Sequence, residues 1–314
     1  MSQVIVVGAG NWGRNLVKNF HQLGALAGVA EANPELRAAV ETTYPGIPTY
    51  QTYDDALEAE DGPIVLATPA PLHYAMALSA LKAGRDVFVE KPMTLRAEES
   101  RHLAEFADAH DRILMVGHLL LYQPAITWMR DYLASGQAGR VLHVATQRAA
   151  LGKVRTEENV WWSFAPHDVA IILELLGSPK ISQVKATGQA LLQPQIEDFV
   201  HVDLQFEGGQ SAHLHCSWLW PEKQRGTVVI AERQMLVYDE IRQVLTVHDK
   251  SIGADLKNDD RGSQGIEVTA AEPLKIECQH FLDCVQNRQR PRSDGWNGVA
   301  VVEILERVQE VLRG

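Results

Sequence analysis

Cysteine is scarce in this 314-residue chain: Cys216, Cys278 and Cys284 are the full complement. An odd number without metal-type spacing excludes a disulfide framework and points to reduced thiols. Basic residues are also short, 29 Lys and Arg against 40 Asp and Glu, for a formal net charge of -11. That balance excludes nucleic acid and anionic membrane surfaces as partners, because both need a basic face. It leaves room for an anionic small molecule served by local basic residues. No apolar run reaches the ~20 residues that span a bilayer. The opening MSQVIVVGAG lacks a basic n-region and a long apolar core, so no signal peptide is expected and the expected location is cytoplasmic. Low-complexity tracts, long Pro/Gly/Ser linkers and internal repeats are missing as well. What remains, 46% hydrophobic and 22% charged, is a folded globular chain whose length favours about two domains.

The first part alternates strand-like and helix-like stretches. QVIVV is an apolar run of strand length, then glycines, then Leu16, Val17 and Phe20 at helical spacing. LAGVAEAN is a second strand ending near Glu31, and PIVLATPA (63–70) a third. HYAMALSALKAG (73–84) is a helix closed by Gly84, DVFVE a strand, AEESRHLAEFADAH a helix and ILMVGH (113–118) a further strand. Such alternation predicts an α/β, doubly wound parallel sheet over residues 1–120. After that the rhythm changes. QPAITWMRDYLASGQAG and PHDVAIILELLG (166–177) read as helices around a strand-like VLHVATQRAA. From about 181 to 250 strands dominate: QVKATGQALL, FVHVDLQFEGG, SAHLHCSWL, TVVIAERQMLVYD and QVLTVHD. Glycine turns such as Gly208-Gly209 predict a largely antiparallel open sheet. DDRGSQG (259–265) reads as an exposed polar loop, and helices near 273–288 and 297–312 finish an α+β domain over 121–314. The last of these helices is expected to be able to return to the first domain.

Gly8-Ala9-Gly10-Asn11-Trp12-Gly13 fits G-x-G-x-x-G between a strand and a helix. The motif is weak alone, but this context is the one a dinucleotide site requires. Glycines permit a tight turn and close approach to a pyrophosphate, which the N–H groups of the helix start stabilise. Glu31 stands about 20 residues on, where a carboxylate accepts bonds from ribose hydroxyls and repels a 2′-phosphate. No arginine immediately follows it. The cofactor expected is therefore NAD in preference to NADP.

The other polar surprises of this part fall at carboxyl ends of strands, where open α/β sheets bind ligands. Ala67-Thr68-Pro69 ends one strand. Thr68, Pro69 and His73 are candidates to line the cofactor, with a water-facing place at the helix start the alternative for His73. Glu90 and Lys91 end the next strand, in VFVEKPMT, and His118 ends the one after. Pro92 restricts the backbone at Lys91 and removes a donor.

The glycine loop, TPAPLHY, EKPMT and the layout of an α/β domain before an open sheet resemble the Gfo/Idh/MocA family over essentially the whole chain. The resemblance implies an NAD(P)-dependent oxidoreductase acting on sugars, cyclitols or their conjugates. It places Lys91 near the nicotinamide and the reacting hydroxyl, and His167 of WWSFAPHDVAIILELLG as the second catalytic residue. It implies that Asn11, Trp12 and Trp162 belong with the cofactor site. The family usually carries an aspartate four residues before the histidine, where Ser163 stands here. The PHD form, GHLLLYQPA (117–125) and ENVWWSFAPHD (158–168) resemble a branch that oxidises position 3 of UDP-linked N-acetylhexosamines, ahead of transamination to a diamino sugar for lipid A or a surface polysaccharide. Tyr122 and Asn159 are the candidates in those stretches for contact with the sugar. The corresponding glucuronate, and free inositol or hexose, are alternative substrates. A non-catalytic NAD-bound sensor is disfavoured by the intact Lys91 and His167. The family's open sheet also implies a homodimer or homotetramer.

Oxidising a secondary alcohol needs a base for its proton. An unperturbed lysine titrates near ~10.4, a histidine near ~6.5. His167 is thus the expected base and Lys91 the group that orients the hydroxyl, with the roles exchangeable; Glu90 or Asp168 is expected to orient the base or balance charge, Asp168 being alternatively a helix cap. A nucleotide-sugar substrate needs cations for its diphosphate, and the candidates are Arg148, Lys153 and Arg155, with Lys223 and Arg225 beside Trp218 and Trp220. Trp161 and Trp162 suit ring stacking or core equally. His213, His215 and Cys216 resemble a metal cluster, but a third ligand is not evident, and no metal is expected.

Overall fold

A computed structural model of the protein describes residues 3–59, 61–269 and 271–314. In chain order its elements are β1 Val4–Val7, α1 Gly13–Gln22, β2 Leu26–Ala30, α2 Pro34–Thr43, β3 Thr49–Tyr50, α3 Tyr53–Ala59, β4 Ile64–Leu66, α4 His73–Lys82, β5 Val87–Glu90, α5 Ala97–Ala109 and β6 Leu114–Gly117. There follow α6 Pro124–Ala134, β7 Val141–Leu151, α7 Val160–Leu176, β8 Ile181–Gln189, β9 Phe199–Phe206, β10 Ser211–Ser217, β11 Leu219–Ala231, β12 Met235–Asp239, β13 Val244–Ile252, β14 Asn258–Ile266, α8 Pro273–Asn287 and α9 Gly295–Arg313. The chain divides into two compact units: Met1–Tyr122 with Glu272–Val302, and Gln123–Ala271 with Glu303–Gly314.

The first unit is built on a six-stranded sheet in the order β3-β2-β1-β4-β5-β6, every pairing parallel. The strands of such a sheet are covered on both faces, which is why VIVV, IVL and LMVG carry no alternation and are buried throughout. Ile5, Val7, Leu66, Val89, Met93 and Leu103 form its core. The order of strands reverses between β1 and β4, and the carboxyl ends of those strands are where such a sheet opens for a ligand.

The second unit carries an eight-stranded sheet in the order β14-β13-β12-β11-β7-β10-β9-β8. Its pairings are antiparallel apart from β10 with β7. Alternation is clean here: Val200, Val202, Leu204 and Phe206 of β9 are buried, while His201, Asp203 and Gln205 face the other way. The helix α7 packs on β7, β9 and β10. Both sheets and their order of appearance agree with the expected α/β domain followed by a largely antiparallel α+β domain.

Four details differ from the sequence pattern. DDRGSQG is not a loop but most of β14, an edge strand whose residues are largely exposed; its pairing with β13 needs only backbone groups, so composition gave no sign of it. TVVIAERQMLVYD is two strands, β11 and β12, joined at Glu232–Gln234. Residues 34–59 contain α2, β3 and α3, with Asn33 capping α2 through Glu35 and Leu36. Finally, α7 begins at Val160, not at the Pro166 that ordinarily marks a helix start. Asn159 caps it by accepting from the Trp162 amide, and burial of Val160 and Trp161 outweighs the backbone bond that Pro166 cannot make. Among the described residues, no helix is long and apolar enough to cross a membrane.

Candidate active site

The glycine loop lies between β1 and α1, and its three glycines answer three different demands. Gly8 has φ +93°, and a Cβ there would stand 2.8 Å from the Ala67 carbonyl oxygen. At Gly13 a Cβ would come within 2.0 Å of the Gly8 carbonyl oxygen. Gly10 is different: a Cβ would meet nothing within 4 Å among the described residues. Its bare backbone leaves open space, which suits the approach of a pyrophosphate. The start of α1 has no side-chain cap and no acidic residue in its first turn, so its N–H groups and dipole remain available to an anion. Asn11 is exposed on the loop. Glu31 follows β2, where its carboxylate accepts from the Ala9 amide at 2.6 Å and the Asn33 amide at 2.8 Å. Each oxygen retains acceptor capacity for a ribose hydroxyl. Arg37 donates to the Glu31 main-chain oxygen at 2.8 Å. Open backbone at Gly10, uncapped helix and anchored acid together fit NAD.

The neighbouring strand ends are tied to one another. His73 is neither a cofactor-lining nor a water-facing residue; it is buried, one ring nitrogen 2.8 Å from the Pro92 carbonyl oxygen and the other 2.8 Å from that of Thr68. The ring thereby straps the loop after β4 to the loop after β5. Burial lowers its pKa, the two carbonyls raise it, and the Lys91 charge lowers it again; the net shift is downward. Thr68 and Pro69 remain partly open at the edge. Lys91 is half-buried beyond a cis peptide bond to Pro92. Its amide donates to Glu90 Oε2 at 3.2 Å, and its charge acts on Glu90, His73 and His118. Trp12, on the glycine loop, donates its indole N–H to Glu90 Oε1. Gly117 makes room for that carboxylate, since a Cβ would stand 3.0 Å from it. His118 is buried, and neither of its ring nitrogens is hydrogen-bonded among the described residues. Burial, then the Lys91 charge, push its pKa down to about 3, so it stays neutral. The first unit thus brings the glycine loop, Glu31, Thr68, Glu90, Lys91 and His118 to one edge of its sheet.

Tyr122 lies inside this unit. Its hydroxyl meets Ser293 Oγ at 2.9 Å, its ring lies under Arg292 at 5.4 Å, and burial pushes its pKa up. A hydroxyl so enclosed is part of the core, and this removes Tyr122 from direct contact with a sugar.

In the second unit α7 presents His167 half-buried, and Trp162 partly open one turn earlier. Asn159 is spent on structure: besides capping α7 it donates to Glu197 at 2.5 Å and to Gln309 at 2.9 Å. Trp161 is buried and donates to the Leu305 carbonyl at 3.1 Å, which makes it core. Asp168 is in mid-helix, so it caps nothing. It receives a bidentate pair from Arg148, at 2.7 and 3.1 Å. Arg148 also reaches Glu240 at 3.1 Å, and Glu240 receives Arg225 at 3.1 Å. Burial works against the Arg148 charge, but Asp168 and Glu240 outweigh it and raise its pKa. For Glu240, burial is likewise outweighed, by Arg148 and Arg225, and its pKa is lowered. Arg148 and Arg225 are register partners across β7 and β11, tolerable as neighbours because two carboxylates stand between them. Arg148 is committed to this buried network, whereas Arg225, with 35% of its side chain exposed, gives one nitrogen to Glu240. Lys153, Arg155 and Lys223 are exposed and lie outside it, Arg155 making a 3.7 Å contact with Glu158. His213 bonds Asp203 at 2.9 Å, His215 stacks on His201 at 4.4 Å, and among the described residues no group of three ligand-type side chains converges to hold a metal.

Two residues of these sites carry no motif: Glu240, which balances the arginines, and Glu277 of α8, buried near Glu90. The signal for Glu277 is its place one turn before Phe281 on an otherwise apolar stripe.

A Rossmann-type sheet with a glycine loop and ribose acid defines the first unit as dinucleotide-binding, and comparison with known proteins agrees. A family model described as an oxidoreductase family with an NAD-binding Rossmann fold matches residues 2–118, and the GFO/IDH/MocA C-terminal domain matches 126–237. The chain belongs to the Gfo/Idh/MocA family of oxidoreductases. It is 26% identical over 300 residues to the UDP-N-acetylglucosamine 3-dehydrogenase of Acidithiobacillus ferrooxidans, covering 95% of this chain and 93% of that one. It is 25% identical over 241 residues to the scyllo-inositol 2-dehydrogenase (NAD(+)) of Bacillus subtilis, covering 73% and 68%. Among solved structures, the Acidithiobacillus enzyme superposes with TM-score 0.88 at 24% identity, over 99% of this chain and 97% of that one. The WlbA dehydrogenase of Bordetella pertussis, in complex with NADH and UDP-GlcNAcA, gives 0.80 at 20%, over 99% and 96%; at such identities the likeness speaks for the fold. The protein is accordingly an NAD-dependent dehydrogenase acting on CH–OH groups.

Proposed function

We propose that this dehydrogenase oxidises the 3-hydroxyl of UDP-N-acetylglucosamine to the 3-keto sugar, supplying a transaminase that makes a diamino sugar for lipid A or a surface polysaccharide. The observation that carries the reading is the reach of the match to a UDP-N-acetylglucosamine 3-dehydrogenase, 95% of one chain and 93% of the other. The match to an inositol dehydrogenase takes in 73% and 68%.

When bound, NAD supplies the nicotinamide carbon that takes the hydride. The loop after β1 and Glu31 hold the dinucleotide, Thr68 and Pro69 line it, and His118 offers it a neutral ring. Trp162 is the further cofactor candidate. Lys91 and His167 serve the same hydroxyl: His167 accepts its proton and Lys91 orients the oxygen and stabilises the alkoxide as it develops. With Arg148 buried between two carboxylates, the diphosphate falls to Lys153, Arg155, Lys223 and the open side of Arg225. The open sheet of the second unit meets another copy in a homodimer or homotetramer, as light scattering on the purified protein will show.

The test is single-turnover NADH formation with UDP-N-acetylglucosamine, its glucuronate and inositol side by side. The first should be oxidised at least tenfold faster than the others, a difference of about 1.4 kcal/mol. Preference for the glucuronate or for inositol would replace the reading with that substrate.

A further inference from the structure

The strand β5 and the helix α8 face each other. Asp86, Phe88 and Glu90 point to one side of β5, because side chains on a strand alternate. Glu277 and Phe281 lie one turn apart on one face of α8, and Arg288 stands just past its end. Arg288 bonds Asp86 at 2.6 Å. Phe88 and Phe281 meet edge to face with centroids 5.6 Å apart. Next along the two elements come Glu90 and Glu277, close enough for the charge of one to act on the other. Both belong to the first unit, and both are buried, Glu277 at 0% exposure and Glu90 at 8%.

The two acids are not equivalent. Glu90 accepts from the Trp12 indole and the Lys91 amide, and the Lys91 charge is close enough to favour its ionised form. Among the described residues, neither oxygen of Glu277 has a hydrogen-bond partner. Other ionisable groups near Glu277 are Tyr122 and Cys278, while Arg288 is committed to Asp86. An ionised carboxylate in such a place would be desolvated, unbonded and beside a like charge.

We propose that Glu277 remains a neutral carboxylic acid at neutral pH, so that it and Glu90 carry at most one negative charge between them, and that Glu277 is thereby a positioning residue for the Lys91 site. Burial and the Glu90 charge raise its pKa well above the ordinary glutamate value of 4.5. Burial likewise pushes Glu90 up to about 7, against the pull of Trp12 and Lys91. Withholding the second charge matters to Lys91, because an additional anion nearby would compete with the developing alkoxide for its ammonium. The charge state follows from the fold alone; its consequence for Lys91 rests on the role proposed for that residue.

The fold and the chemistry are therefore tested apart. With glutamate labelled at its carboxyl carbon, the infrared spectrum of the wild-type protein about one pH unit above the Glu90 value should show a labelled carboxylic-acid carbonyl band. Buried aspartates do not contribute to it, and Glu277→Gln should abolish it. The linkage gives a second readout. A carboxyl whose folded pKa is raised contributes stability that is full below its unfolded pKa and is lost as pH rises towards its folded one. Glu277→Gln removes that loss, so its Tm relative to wild type should climb by about 3–5 °C per pH unit above pH 4.5 until Glu277 ionises. A wild-type spectrum without a labelled acid band overturns the proposal even if the variant does not fold. So does a Tm difference that stays constant with pH.

Discussion

In the second unit Arg148 and Arg225 meet Asp168 and Glu240, two cations and two anions held by bonds of 2.7 to 3.1 Å. In the first unit Glu90 and Glu277 share a dry wall, with the Lys91 charge close to Glu90. The first arrangement balances its charges and holds Arg148 and Asp168 in the interior. The second leaves an unbonded acid, a neutral histidine at 118 and a half-buried lysine at an open strand end. A balanced buried cluster is a brace; an unbalanced one keeps charge ready to respond when protons move.

That contrast can be broken most sharply at Lys91. Lys91→Met should lose about 10²–10⁴-fold in turnover with NAD binding retained, the range for removing acid–base help. His167→Asn should fall in the same range, and the double variant should be little worse than the poorer single one, because groups serving one proton transfer do not add. Single-turnover NADH formation across pH is the measurement, and near-wild-type turnover in Lys91→Met removes it from the chemistry.

Breaking the balanced cluster should act on stability instead. Arg148→Met strands Asp168 in the interior and should cost about 3–5 kcal/mol in urea unfolding, with the substrate KM of the surviving fold little changed. A large rise in KM without loss of stability would return Arg148 to the diphosphate site.

The smallest effect is expected where the charge is partly open. Glu31→Ser removes charge-assisted bonds worth about 1.5–3 kcal/mol, so NAD binding should weaken about 10- to 100-fold and discrimination against NADP should relax. Titration of both cofactors decides it; an unchanged preference would mean that Glu31 only anchors the glycine loop.

The dinucleotide half was legible because its information is local. A strand, the glycines 8, 10 and 13, and an acid at 31 lie within one βαβ unit, and spacing alone places them. Lys91 was legible for the same reason, as an acid–base pair before Pro92 at the end of an apolar run. The cationic candidates were less so. Arg148, Lys153, Arg155, Lys223 and Arg225 look alike in sequence, and only their partners separate the brace from the exposed set. The start of α7 was hidden because a cap at Asn159 and the burial of Trp161 prevail over the usual meaning of Pro166.

By itself, the sequence determined the alternation of strands and helices in the first unit and the run of strands in the second, the glycine loop with its acid, and the lysine at the end of β5. These depend on periodicity and on residues close together in the chain. Tertiary structure alone decided that His73 straps two loops, that Asp168 belongs to Arg148 and Glu240, and that Glu277 comes near Glu90. The physical reason is distance along the chain: β5 and α8 are separated by nearly the whole second unit, and whether a buried carboxyl meets an arginine or another carboxyl is settled only when the helix docks on the sheet.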